Sequence, residues 1–442
     1  MLDPRTDQYA QQLARMIRIE TISTADQSDK TIFYAFHDLL RELFPTLFSV
    51  CTFENFEGSF LLRWQGRGER EPILFMNHHD VVEAPGQWTH PPFSGEIADG
   101  KLWGRGTLDT KGGLWAMLRA AEELAAEGFV PGCDIYFLST CNEEQGGESG
   151  DYISQVLEKR GLRFSMVLDE GGMILTEPIG GAKGTFAMVG VGEKGCADLK
   201  FIACSKGGHA STPGKDTPLV RLGKFMAAVE KSNLFRGEIS PTIHAMFGCL
   251  ATSMSGPLKL VLGHSRLFEG LLLKVMPIVS GTANAMLKTT IAFTMASGSQ
   301  GTNVLPQEAW VIGNMRYSHH QGGPDSIAAI SNLAKKFDIE TEILDPGFPS
   351  PLTDHTAEPF RLIAQAVTAT LPGVKTSPYV MTGASDSRVL SRVCYHCLRF
   401  TPFLISDQQL DSIHGIDENV DLSVLAPAVD FYRYVMKEAS HA

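Results

Sequence analysis

An apolar run, Ile73-Leu74-Phe75-Met76, ends in Asn77-His78-His79-Asp80. His78 and Asp80 form an H-x-D triplet, the spacing at which a carboxylate can orient an imidazole that binds a metal. Groups of the same chemical kind recur where other runs end. Asp109 follows Gly104-Arg105-Gly106-Thr107-Leu108, and the adjacent Glu143 and Glu144 follow Ser139-Thr140-Cys141-Asn142. Asp169 follows Phe164-Ser165-Met166-Val167-Leu168, and His414 stands late, before Gly415. Imidazole nitrogens and carboxylate oxygens are zinc ligands, and a catalytic zinc keeps a position open for water. A two-metal site further needs a carboxylate that bridges ions about 3.5–4 Å apart. Each residue alone has an ordinary reading: Asp109 as a helix N-cap, the glutamate pair as a solvated loop, Asp169 as the start of a turn before Gly171-Gly172. Their shared setting at the ends of apolar runs points to one site instead.

The elements that would position these groups are readable from periodicity. Short apolar runs at 59–64, 72–77, 134–140 and 164–168 read as strands. Helical spacing appears within 8–44, at Leu13, Ile17, Phe33, Phe36, Leu39 and Leu40. It returns after Asp109 at Leu114, Met117, Leu118, Ala121 and Leu124, with Gly128 as a C-cap. Strands alternating with helices predict an α/β domain with a largely parallel central sheet. In such sheets ligands gather beyond the carboxyl ends of the strands, where the candidates lie. From about Lys194 to Gly347 the pattern changes to a smaller α+β domain, with strands at 199–204, 289–295 and 309–315 and helices at 217–232 and 326–337. The stretch 235–280 breaks that rhythm and reads as an inserted, partly helical element. From Pro359 the α/β pattern resumes.

The chain has 442 residues, enough for two or three domains. Its 38 basic and 50 acidic side chains give a formal charge of -12, so neither nucleic acid nor an anionic membrane is an expected partner, though a local basic pocket is compatible with it. The N-terminus begins polar, with no apolar signal core. No uncharged apolar run reaches the ~20 residues of a membrane span; the longest, 267–279, is interrupted by Glu269, Gly270, Lys274 and Pro277. Eight cysteines lie scattered, mostly in apolar runs, which predicts reduced thiols in a cytoplasmic protein. Cys394 and Cys397 form a C-x-x-C with no second pair and read as strand residues.

Taken in order, His78-His79-Asp80-Val81-Val82, Gly104-Arg105-Gly106-Thr107-Leu108-Asp109-Thr110-Lys111-Gly112-Gly113, Asn142-Glu143-Glu144, Asp169-Glu170-Gly171, Gly207-Gly208-His209-Ala210-Ser211 and His414 span nearly the whole chain. Jointly they resemble the dizinc metallopeptidase and amidohydrolase family of carboxypeptidase G, aminoacylase, acetylornithine deacetylase, succinyl-diaminopimelate desuccinylase and the carnosinase-like dipeptidases. The insertion at 235–280 and the Ile413-His414-Gly415-Ile416-Asp417-Glu418 segment look most like the carboxypeptidase S and N-acyl-amino-acid hydrolase branch. The resemblance implies a zinc-exopeptidase-like catalytic domain built from 1–193 and 349–442, with an inserted lid or dimerisation domain at 194–348 and hinges near 194 and 348.

It also implies roles. His78 and Asp169 would hold one metal ion, Glu144 and His414 the other, with Asp109 bridging and Asp80 orienting His78. Glu143 would be the general base. From the lid, His209 would stabilise the oxyanion. Asn303 and Arg316, in segments like the family's N-V-I-P and D-V-R pair, would hold a substrate carboxylate. Gly383 would offer backbone contacts. The implied cofactors are two divalent ions, zinc first, with cobalt or manganese as alternatives. The implied substrate is a dipeptide, a short peptide C-terminus or an N-acyl amino acid, and the lid is a candidate surface for a homodimer. Rival readings are a strict N-deacylase without peptidase activity and a metal-binding scaffold without catalysis. Three departures stand out: Asn77 where Gly is common, the doubled histidine at His79, and Asn314 in place of the usual acid before Arg316.

Overall fold

The run before His78 forms the strand Ile73–His78, central in a 10-stranded sheet. The computed structural model of the chain describes residues 3–441 except 27, 280 and 349. Ile135–Thr140 and Met166–Asp169 flank Ile73–His78 in parallel, and Cys397–Arg399 extends the parallel order beyond Met166–Asp169. All four strands are buried along their full length. Helices cover both faces, which is why these strands are continuous apolar runs and not alternating ones. Towards the edges the pairing is mixed: Ser59–Trp64 and Cys51–Phe56 add antiparallel strands, and Thr185–Glu193 pairs antiparallel with Ile174–Thr176 but parallel with Val374–Met381. The parallel strands release their carboxyl ends on one edge, with His78 level with Thr140 and Asp169 level with Arg399.

The helix Lys111–Ala126 buries nearly its whole circumference, Trp115 included, in the main core shared with the C-terminal helix Leu425–His441. It ends as the sequence predicts. Gly128 adopts φ +78°, and the N–H groups of Gly128 and Phe129 donate to the carbonyls of Ala125 and Leu124 at 3.0 and 2.9 Å.

A second sheet places Thr290–Ser297, Glu308–Tyr317, Gly195–Cys204 and Glu340–Asp345 side by side, all antiparallel. Along Gly195–Cys204 and Glu308–Tyr317 buried and half-exposed residues alternate, the pattern of a sheet covered on one face. Helices Pro218–Lys231 and Gly322–Lys335 supply the cover through Leu222, Phe225 and Ile330. Four short helices, Pro241–Ala251, Gly256–Gly263, Glu269–Val279 and Gly281–Leu287, make up the irregular middle stretch. Their core residues Ile243, Phe247, Leu250, Leu262 and Leu272 pack on Phe186 and Met188 of the large sheet. The helical stretch thus leans on the large sheet although it is inserted among the strands of the small one.

Both crossings between the sheets meet one buried guanidinium. Arg399, fully buried, places Nε 3.3 Å from Glu193 Oε2 and donates from Nη2 to Ser350 Oγ at 3.1 Å. Cys394 and Cys397 are buried free thiols, and Cys397 opens a strand. Among the described residues no helix is long and apolar enough to cross a membrane.

Candidate active site

His78 is the last residue of its strand, and its ring is buried. Nδ1 lies 2.9 Å from the carbonyl oxygen of Asp80 and 3.3 Å from its carboxylate, while Nε2 faces Asp109 Oδ1 at 3.0 Å. His79 faces the core: its Nδ1 is 2.7 Å from Ser139 Oγ and its ring stacks on Phe36. Burial pushes the His79 pKa well down, so it is a neutral core side chain.

The Asp80 carboxylate acts on more than His78. Oδ1 accepts the Glu143 N–H at 3.2 Å, and Oδ2 accepts the Glu144 N–H at 3.1 Å and the Ser23 hydroxyl at 2.7 Å. One carboxylate therefore fixes the backbone from which both glutamates project. Burial, with Asp386 and Asp109 adding negative charge, holds the Glu143 carboxyl well above the usual range even though His78 opposes the rise.

Asp109 stands between two imidazoles. Its Oδ1 meets His78 Nε2 at 3.0 Å and its Oδ2 meets His414 Nε2 at 3.1 Å. His414 Nε2 also lies 3.1 Å from Glu144 Oε2. His414 adopts φ +60°, an uncommon backbone for a non-glycine residue and one found often at functional sites. Asp109 and Glu144 raise its pKa to about 10. For Asp109, burial pushes the pKa up, but the His414 and His78 rings overcome it and hold the carboxyl well below the usual range.

The loop that presents Asp109 is moulded around Glu418. This fully buried carboxylate accepts the N–H groups of Gly106, Leu108 and Asp109 at 3.1, 2.8 and 3.2 Å through one oxygen. Its other oxygen pairs with Arg105 Nη1 at 2.7 Å, and Arg105 Nη2 donates to the Gly415 carbonyl at 2.6 Å. Arg105 and Glu418 thus tie the Asp109 loop to the His414 loop. Thr110 Oγ1 donates to the His78 carbonyl at 2.8 Å, which fixes the far side of Asp109 to the strand end.

Asp169 is buried at the end of its strand but makes other contacts: Oδ1 accepts the Glu170 N–H at 2.8 Å and Oδ2 the Ser387 N–H at 2.9 Å. Next to it, burial and the charges of Asp169 and Asp109 hold the Glu170 carboxyl well above the usual range. The remaining candidates lie on the second sheet or beyond it. His209 is exposed on Gly208–His209, where its Nδ1 accepts the Ser211 N–H at 3.2 Å. That strand pairs with Val304–Leu305, and the carbonyl of Asn303, also exposed, accepts the Ala210 N–H at 2.9 Å. Arg316 is half-buried, donates from Nε to Asn314 Oδ1 at 3.1 Å, and leaves Nη1 without a partner. Asn314 in turn donates to Asp198 at 2.7 Å. Gly383 is exposed just past Val374–Met381. Among the described residues, no hydrogen bond or ion pair joins His209, Asn303 or Arg316 to the cluster around Asp109.

The donor set suits a cation. One ligand atom from each of His78, Asp109 and Glu144 lies within 4.8 Å of the others. Carboxyl groups outnumber imidazoles there, with Glu143 and Glu170 held up by burial and by their neighbours' charge. Burying such an excess of negative charge is costly unless a cation offsets it. Imidazole nitrogen with carboxylate oxygen is a set that zinc accepts.

Sequence reasoning assigned no role to Glu418 or Ser23, and gave Asp80 only its contact with His78. The signal for Glu418 was its place four residues after His414, though a glutamate in Asp417-Glu418-Asn419 looks like part of a solvated turn.

Comparison with known proteins agrees with the geometry. The model of peptidase family M20/M25/M40 matches residues 74–438. The chain is 30% identical to the "Probable carboxypeptidase S-like 2" of Dictyostelium discoideum, over 97% of this chain and 85% of that protein. It is 29% identical to the human "N-fatty-acyl-amino acid synthase/hydrolase PM20D1", over 96% and 86%. Among solved structures, the M20 family metallo-carboxypeptidase Sso-CP2 from Sulfolobus solfataricus superposes with a TM-score of 0.73 at 16% identity, covering 99% of this chain and all of that one. Human carnosine dipeptidase 1 follows at 0.68 and 14% identity, covering 99% and 97%. The chain belongs to peptidase family M20/M25/M40 and is an enzyme of the metallopeptidase and amidohydrolase type.

Proposed function

We propose that the enzyme hydrolyses an amide bond whose leaving group is an amino acid with a free carboxylate, in a dipeptide, a peptide C-terminus or an N-acyl amino acid. The observation that carries this reading is Asp109, whose two oxygens each face a different imidazole, as a bridging carboxylate's would. His78 and Asp169 would hold one divalent ion and Glu144 and His414 the other, with zinc as the metal. When bound, the ions lower the pKa of water and polarise the scissile carbonyl.

The protein's own groups do the rest. Glu143, projecting from backbone that Asp80 holds, takes a proton from the attacking water as the water oxygen bonds the carbonyl carbon. It then passes that proton to the nitrogen as the C–N bond breaks. His209 donates to the developing oxyanion once the second sheet closes on the site. The half-buried guanidinium of Arg316 suits a carboxylate, since it has parallel donors to offer. The relatives' names support this choice: a carboxypeptidase and an N-acyl-amino acid hydrolase both release an amino acid with a free carboxylate. Free thiols throughout support a reducing, cytoplasmic setting. The exposed edge strand Glu340–Asp345 offers a surface for pairing two copies.

The test is a panel sharing one amino acid as leaving group: an N-glycyl, an N-acetyl and an N-long-chain-acyl form, each also as its C-terminal amide. We expect release of the amino acid from at least one acid form, at least about 100-fold slower release from its amide, and loss of both in Glu143→Ala. Cleavage confined to the acyl forms would narrow the activity to a deacylase. Acids and amides cleaved alike would remove the role of Arg316. Wild type no faster than Glu143→Ala on every member would leave only a metal-binding scaffold.

A further inference from the structure

The helical stretch that leans on the large sheet is apolar on both sides. Its inner side chains, Leu262 and Leu272 among them, are buried against the sheet. Its outer side exposes Leu260, Leu267, Leu271, Val275 and Ile278, with Leu267 82% and Ile278 84% exposed. An apolar helix surface of this kind is ordinarily covered by something.

Charge on the same stretch says by what. Between Pro241 and Leu287 the sequence holds Lys259, Arg266 and Lys274 but only one acid, Glu269. Three cations less one anion make +2, in a chain whose formal charge is -12. Among the described residues, no ion pair involves Lys259, Arg266 or Lys274, and all three are exposed. Beside them is a cavity of about 410 Å³ lined by His244, His264, His355, Ser265, Arg266 and Leu267. Its lining holds no carboxylate among the described residues, although Glu269 lies 3.9 Å from His244 and Asp354 precedes His355 in the chain. Exposed leucines interleaved with unpaired cations, next to a cavity rich in nitrogen donors, have the chemistry of a surface that takes apolar chains and anionic head groups together.

We infer that this helical stretch docks the enzyme on a bilayer containing anionic phospholipid, with Leu260, Leu267 and Ile278 entering the acyl boundary and Arg266 with its neighbouring cavity taking the head-group phosphate. The whole-chain charge, which argued against an anionic membrane, averages over this asymmetry. Docking would bring the enzyme to amphiphilic substrates that partition into bilayers. That consequence rests on the N-acyl reading of the active site; the docking itself does not.

The test is flotation of the full-length protein with vesicles of phosphatidylcholine alone or with 30% phosphatidylserine or phosphatidylglycerol. We expect binding to both anionic mixtures, little to phosphatidylcholine, and weakening as salt is raised. Two surface variants, Leu267→Asp/Ile278→Asp and Lys259→Glu/Arg266→Glu/Lys274→Glu, should each bind at least about tenfold more weakly. Neither should change thermal stability or hydrolysis of a short soluble substrate. Three results would overturn the inference: no flotation at millimolar anionic lipid, equal flotation of the variants, or a dimer in sedimentation velocity that the Leu267→Asp/Ile278→Asp pair dissolves, which would assign the surface to a second copy. An inert active site with intact flotation would reject the hydrolytic reading and leave the docking standing.

Discussion

The carboxyl edge of the large sheet and the second sheet hold their candidate groups in opposite ways. At the large sheet's edge each polar group is tied to another: Asp80 to the backbone of both glutamates, Asp109 to two imidazoles, Glu418 to three N–H groups and Arg105. Arg316 on the second sheet keeps an unpaired nitrogen, and His209 is exposed on the separate two-stranded pair with Val304–Leu305. The first is arranged before any substrate arrives. The second holds groups that few contacts fix, His209 to Ser211 and Arg316 to Asn314. Substitutions in the first should therefore remove chemistry or the site itself, and substitutions in the second should change how substrate is held.

The largest effect belongs to Glu143. Glu143→Gln should lower kcat by about 10³- to 10⁴-fold with metal content unchanged, read by steady-state kinetics beside elemental analysis. A loss below about tenfold would mean that another group moves the proton. Glu418→Ala removes the charge paired with buried Arg105 and releases three N–H groups of the Asp109 loop. We expect a loss of about 3–5 kcal/mol in urea unfolding together with weaker metal retention. Unchanged stability would show that the two loops stay in place without it.

The second sheet should answer differently. His209→Ala should cost about 10²- to 10³-fold in kcat, and Arg316→Lys about 10-fold or more in kcat/KM, mostly through KM. Neither should alter metal content or unfolding. If either variant lost metal, the contrast between the two regions would fail.

The smallest effect concerns the large-sheet body alone. His37 is buried among Phe53, Phe60 and His79, with Nε2 2.9 Å from the Gly58 carbonyl, and burial pushes its pKa down to about 4. On unfolding, the imidazole takes up a proton below about pH 6.5. In the fold it stays neutral until about pH 4. The unfolded state binds more protons in that window, so the contribution of His37 is complete above pH 6.5 and is lost as pH falls towards 4. His37→Gln should make the acid decline in unfolding free energy shallower by about 1.4 kcal/mol per pH unit between pH 6 and 5. An unchanged slope would place the proton uptake elsewhere.

Much of this was legible in the sequence because the large sheet is buried on both faces. Strands such as Ile73–His78 then become unbroken apolar runs, and the polar residue that ends each run marks the edge. The recurring pattern of apolar run followed by acid or histidine made His78, Glu143, Glu144 and Asp169 visible together. The roles of Glu418 and Ser23 were not legible, because burial of a carboxylate or a hydroxyl is a property of the chain that folds over it. Nor could periodicity show that the helices of 241–287 pack on Phe186 and Met188, strand residues well before them in the chain, since contact between distant segments leaves no spacing to read.

The proposed bridging role of Asp109 is tested most directly by metal stoichiometry. Elemental analysis of protein purified without chelator, with Asp109→Ala in parallel, should find about two divalent ions per wild-type chain and clearly less than one in the variant. A wild-type chain holding a single ion, or a variant that keeps the full wild-type content, would contradict the bridge.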